Sequence, residues 1–219
     1  MGGHDYVRRL ALVAMAGAVT GVLVEFLFYM ISASSPRTAA GHARYFAGAY
    51  LVMHAGAFVL QVAFYGPLQR RIGVSGTLMA LPLVLLGGSM ALLTGAAMAI
   101  GQALRIAEGG VKQSVHRSSW EQAFLPVDPR DRGLAKLIVD GAGARMAEGA
   151  TAAALMAWIR LGLNGRAPAM SDTGPIVGAL VGASLLWFQL ARSMRRRLVL
   201  HARAFPEARC RPDSPLPDG

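Results

Sequence analysis

Long uncharged stretches punctuate this chain, and they set the first expectations about its elements. Between Arg9 and Arg37 the only charged residue is Glu25, and between Arg44 and Arg70 there is none. The 33 residues between Arg71 and Arg105 are uncharged, as are the 19 between Asp172 and Arg192. Blocks of this kind have no wet face, so they read as helices in apolar surroundings instead of the amphipathic helices of a soluble domain. A bilayer crossing needs roughly 20 residues at about 1.5 Å each. Residues 10–33, 45–65 and 173–191 therefore predict one crossing apiece. The 33-residue block is too long for one crossing and slightly short for two. It predicts spans at 74–90 and 92–111, joined by a tight turn near Gly87, Gly88 or Gly95. Residues 134–160 supply a sixth crossing, which makes residues 1–204 a single six-helix, all-α membrane domain.

Composition agrees with that pattern. Hydrophobic residues make up 54% of the chain, charged residues only 16%, and the mean hydropathy is +0.42, a balance that ordinary soluble domains do not have. Residues 10–33 exceed the usual apolar core of a secretory signal, about 7 to 15 residues, so a signal peptide is not expected there. The segments 32–44 and 163–175 carry the Pro, Gly, Ser and Asn of turns. The tail 205–219 holds four prolines and little to bury, and is expected to be disordered.

The net charge of +10 raises the question of nucleic acid. Its distribution answers it. If the six spans alternate, one side collects 17 Lys and Arg and the other 4, with Arg145 inside a span. By the positive-inside rule both termini are cytoplasmic and the protein lies in the cell membrane. The basic excess is then an orientation signal, and no nucleic-acid partner is expected. The single cysteine, Cys210, forms no internal disulfide, and no Cys/His spacing builds a zinc site. No nucleophile motif, metalloprotease motif or phosphate loop occurs, so neither an enzyme nor a bound cofactor is expected.

The chemistry therefore rests on the few charges at membrane depth. A charged side chain at the bilayer centre costs about 2.5 to 3.5 kcal/mol on insertion scales, so such residues face partners, water or a solute path. Lys136 and Asp140 are four apart, Arg145 and Glu148 three apart, and each pair has the spacing to meet on a helix surface. Lys136 points roughly opposite to Arg145. Glu25 has no cation in its own span, and Arg145 is its natural partner across the bundle, unless burial keeps it protonated. His54 is expected to be a hydrogen-bonded structural histidine, and Trp158 and Trp187 packing or interface aromatics. Gly17 and Gly21, and Gly174, Gly178 and Gly182, have the spacing of close helix contacts.

Three stretches carry a family resemblance: "LVEFLFYMISASSP" from Leu23, "GPLQRRIG" from Gly66, and "KQSVHRSSWEQAFLPVDPRDRGLAKLIVD" from Lys112. Together they resemble the C-terminal half of the ATP/ADP translocases, nucleotide transporters related to the major facilitator superfamily. Lys112, Ser114, Glu121, Pro126, Lys136, Ile138 and Asp140 stand at the family's motif positions, and Glu25 at an acidic one. Arg117, Ser118 and Trp120 depart from its Asp, Pro and Lys, Tyr29 stands where a Lys is usual, and Glu148 replaces a basic residue. The resemblance implies half of a twelve-span transporter, working with a second six-span half (itself or a separate chain) on an anionic solute such as a nucleotide. Glu25, Lys112, Glu121, Lys136, Asp140 and Arg145 are then the candidates for its solute path. The alternatives are a non-transporting membrane scaffold and a ligand-sensing membrane module.

Overall fold

The computed structural model describes residues 3–33, 38–93, 97–163 and 172–209, with side chains described for 5–33, 38–93, 99–163 and 172–194. Among these residues every regular element is helical: α1 (Gly3–Ala33), α2 (Ala39–Val59), α3 (Tyr65–Leu92), α4 (Ala97–Val111), α5 (Arg117–Ala123), α6 (Arg132–Lys136), α7 (Ala144–Ala157) and α8 (Thr173–Arg209). Four π-helical segments among them, Leu60–Phe64, Lys112–His116, Leu137–Gly143 and Trp158–Gly162, join neighbouring α-helices or extend them without a break. Among the described residues, three stretches are long and apolar enough to cross a membrane: Asp5–Ala33, Ala39–Leu92 and Thr173–Met194.

The 54-residue stretch is kinked at one point. Gly73, at φ 68° and ψ 175°, interrupts α3, in a backbone region open to glycine almost alone. The polar "GPLQRR" before it, expected to connect two spans, is helical up to that break. Of the three glycines expected near the next turn, the structure excludes two. Gly87 and Gly88 lie inside α3, which runs to Leu92, while Gly95 lies outside the described residues. Two adjacent glycines cost a helix only about 2 kcal/mol, too little to end one that packs on both α4 and α8. Gly88 serves packing instead: a β-carbon there would overlap Leu104 Cδ1 of α4.

The charged stretch after Gly109, much of which lies between the expected spans 92–111 and 134–160, is likewise helical through Ala123. Charge does not stop a helix; Phe124–Asp131 does, where Pro126 and Pro129 interrupt the ladder and the Asp128 carboxylate accepts the Arg130 amide at 2.9 Å. At the other end, α8 continues to Arg209, into the tail expected to be disordered from Phe205. Its Ala, Leu and Arg residues favour propagation of a helix already formed. Residues 210–219, including Cys210, lie outside the described residues.

α1 is the centre of the bundle, packed against α4, α7 and α8, while α3 packs on α4 and α8, and α2 on α4. Leu10, Val13, Leu23, Val24, Leu27 and Ile31 of α1 meet Leu81 and Leu85 of α3, Leu104 of α4 and Leu180 of α8 in one core. Hydrogen bonds between helices fasten one end of it. Tyr6 donates to the Ala123 carbonyl at 2.6 Å, Ser119 to Thr77 Oγ1 at 2.6 Å, and Gln122 to Tyr65 at 2.8 Å. Where lipid replaces water, bonds of this kind and close backbone approach supply what hydrophobic burial does elsewhere.

Candidate functional site

Glycine and alanine open a cleft along one face of α1. Val13, Ala14, Gly17, Ala18, Gly21 and Val22 form its floor, which ends at Glu25, and its volume is about 900 Å³. The opposite wall comes from α4, α5, α7 and two of the π-helical segments. A β-carbon at Gly21 would lie 2.9 Å from Lys112 Nζ and 3.6 Å from Glu108 Oε1, and one at Gly17 would lie 3.0 Å from the Trp187 ring.

The charges in the cleft form a chain of alternating sign. Glu25 lies 3.7 Å from the Arg105 guanidinium. Arg105 also pairs with Glu108, and Lys112 approaches the other oxygen of Glu108 at 3.3 Å. Arg105, Glu108 and Lys112 are spaced three and four apart, so a single helical face brings them together. Glu108 is only 2% exposed. A carboxylate so buried is tolerable because two cations flank it. Tyr29 donates to Glu25 at 3.2 Å and lies 3.3 Å from the Tyr50 hydroxyl of α2.

The far wall carries Asp140, which accepts the Trp120 indole N–H at 2.8 Å, and Arg145, which holds Glu148 at 2.8 Å. Arg117 also lines the cleft and makes no ion pair among the described residues. Lys112, Gln113 and His116 come from one π-helical segment and Asp140 from another, and π turns recur at functional sites because they re-aim side chains. His116 is packed face to face with Trp120, ring centroids 6.1 Å apart, and edge-on to Trp187 at 5.5 Å. Burial, and then the charge of Lys112, push its pKa down to about 4. It is therefore the neutral imidazole at neutral pH.

Four of the six expected path residues, Glu25, Lys112, Asp140 and Arg145, line this cleft. The other two do not. Glu121 and Lys136 pair with each other outside its lining. Two expected partnerships are also replaced. Glu25 meets Arg105 and not Arg145, which is taken by Glu148. Asp140 meets Trp120, while Lys136, expected near Asp140, swings to Glu121. Sequence reasoning does not pick out Arg105, Glu108 and Trp120, because Arg105 ends an uncharged block and counts only towards the charge asymmetry between the two sides. The spacing of "RIAEGGVK" is the available signal. His54 is hydrogen-bonded, to Gln113 at 2.9 Å, as expected. Gly174, Gly178 and Gly182, in contrast, face open space, with no neighbour within 4 Å of where a β-carbon would stand.

No protein family, no curated protein and no solved structure matches this chain.

Proposed function

We propose that this chain is one half of a membrane transporter for an anionic solute, and that the charged cleft along α1 is its half of the path. The observation that carries the reading is a cleft of about 900 Å³, rich in charge, opening from the side of an apolar helical bundle. Arg145 is 78% exposed there, Lys112 46% and Glu25 44%. Turned towards lipid, Arg145 and Glu25 would each carry the insertion cost of a charge in hydrocarbon. A second six-span half, another copy or a separate chain, removes that cost by closing over the cleft. The resulting path lies between two halves, the arrangement of the ATP/ADP translocases that the sequence resembles.

Six crossings follow from the same reading. A helical stretch of 54 residues is far longer than a bilayer of about 30 Å, and the break at Gly73 divides it in two. The helices over 97–111 and 134–160 supply two more crossings, and residues 112–123 continue the first of them past the membrane on the cytoplasmic side. The 17 to 4 division of Lys and Arg favours both termini in the cytoplasm of a cell-membrane protein. Lys112, together with Arg117, which makes no ion pair among the described residues, favours an anion, and nucleotides are the class the resemblance implies.

Two measurements test this. With Cys210→Ser and Arg145→Cys, a bifunctional thiol reagent in native membranes should capture a covalent dimer, or a partner of similar size and hydropathy. Proteoliposomes loaded with glycerol 3-phosphate should take up the labelled compound saturably, and Lys112→Ala together with Arg117→Ala should lower that uptake at least tenfold. A monomer that resists cross-linking, with no flux of any phosphate-bearing anion, would assign the cleft to a scaffold or a sensor instead.

A further inference from the structure

The charged cleft does not end at Glu25. A second cavity of about 310 Å³ begins there, sharing Val22, Glu25 and Ala152 with the first. Its remaining walls are Phe26 and Tyr29 of α1, Leu155 and Met156 of α7, and Ile159. Beyond Glu25 the one polar side-chain group among these lining residues is the Tyr29 hydroxyl, already held by Glu25 and Tyr50. Met156 is exposed, so the annex opens between α1 and α7 onto the outer surface of the bundle.

A small, fully polar solute makes no use of such an annex, because its apolar walls offer no hydrogen bond for the water it would displace. A nucleobase is a poor fit for the same reason: its ring nitrogens and carbonyls would be buried unpaired. An alkyl chain matches the walls, and the gap between α1 and α7 gives it a way out into lipid. We infer that the solute is an amphiphile, with an anionic head at Arg105 and Lys112 and a hydrocarbon chain in the annex beyond Glu25. The inference rests on the solute-cleft reading above and narrows its substrate class. Glu25, paired to Arg105 where the two cavities meet, marks the boundary between head and chain and disfavours a second negative charge at that depth.

The test uses the full chain in nanodiscs, with binding to empty nanodiscs subtracted, and three probes: glycerol 3-phosphate, octyl phosphate and AMP. Octyl phosphate should bind at least tenfold more tightly than glycerol 3-phosphate. Ile159→Trp, which narrows the annex from its far end and is not part of the cleft lining, should erase that advantage and leave glycerol 3-phosphate binding within twofold of the parent chain. Ala152→Phe, which fills the neck between the cavities, should erase the advantage as well. Equal binding of octyl phosphate and glycerol 3-phosphate overturns the amphiphile and leaves the anion cleft standing, as does AMP binding more tightly than either. A chain advantage untouched by both variants is insertion into the bilayer, and overturns it as well. Binding of none of the three removes both the amphiphile and the anion reading.

Discussion

The Glu25 carboxylate of α1 lies 3.7 Å from the Arg105 guanidinium of α4, and Arg105 in turn holds the buried Glu108. One cation thus serves two carboxylates on two helices. It links the floor of the cleft to its wall, and its loss should be felt in the fold as well as in the path.

Replacing Arg105 with Leu should lower Tm more than any other single change in the cleft. It leaves Glu108 buried with Lys112 as its remaining ion-pair partner, and breaking a buried pair costs about 3 kcal/mol. The double variant Arg105→Leu, Glu108→Leu should recover most of the loss, since it removes the stranded charge along with its partner. Melting curves of both variants and of Glu108→Leu in one detergent decide it. Additive losses in the double variant would contradict the coupling.

Gly73→Ala should destabilise, and Gly48→Ala should not. Gly73 holds a positive φ that an L side chain adopts only under strain, on the order of 1 to 3 kcal/mol. Gly48 lies inside α2 with open space around it, and a methyl group there restricts the unfolded chain, for a gain of about 0.5 to 1 kcal/mol. The two Tm values should therefore move in opposite directions.

Gly17→Val should disturb the bundle where Gly178→Val is tolerated. At Gly17 the added atoms run into the Trp187 ring, which is buried and packed edge-on against His116, and overpacking of this kind costs typically about 1 to 3 kcal/mol. At Gly178 nothing lies within 4 Å. A shifted Trp187 fluorescence maximum in Gly17→Val, with an unchanged one in Gly178→Val, is the expected reading. Loss of a cross-linked dimer in Gly178→Val would instead show that α8 presents its glycines to the second half.

Stability should fall as the medium is acidified, and His116 should be part of the cause. Its pKa is about 4 in the folded chain against 6.5 when free of burial, so the unfolded chain takes up the proton first as pH falls. The contribution is complete above about pH 6.5 and is lost progressively between about 6.5 and 4, at up to about 1.4 kcal/mol per pH unit. His116→Gln, which carries no titrating group, should have a shallower dependence of Tm on pH in that window. Parallel curves for the two proteins would mean that His116 is hydrated.

How much of this was legible in the sequence differs from one feature to the next. The apolar runs were sufficient to predict an all-helical chain with membrane-length helices at its two ends, because a segment without a wet face has few alternatives and its length is counted directly. The charges at Glu25, Lys112, Asp140 and Arg145 could be singled out for a similar reason: so few residues of that kind occur in apolar surroundings that each demands a partner. Spacing also anticipated the Arg145–Glu148 pair, since neighbours along one helix follow from its period alone.

Partners on different helices do not follow from any period. Whether Glu25 reaches Arg105 or Arg145 depends on how far α4 and α7 are rotated and slid along α1, and those offsets are decided by contacts distant in sequence. Gly21 lets Lys112 and Glu108 sit against α1, and Gly101 does so for Ile31, whose Cδ1 would overlap a β-carbon there. The same dependence governs where helices end. The charged run 112–123 stays helical because Ser119, Gln122 and the Ala123 carbonyl are bonded to α3 and α1, and the turn comes only where the two prolines of "PVDP" break the ladder. Hydrophobic pattern is a property of each segment, and so the sequence carries it openly. Which charge faces which, and so the shape of the cleft, is a property of the packed bundle, created only when the missing side chains of its glycines let the helices approach.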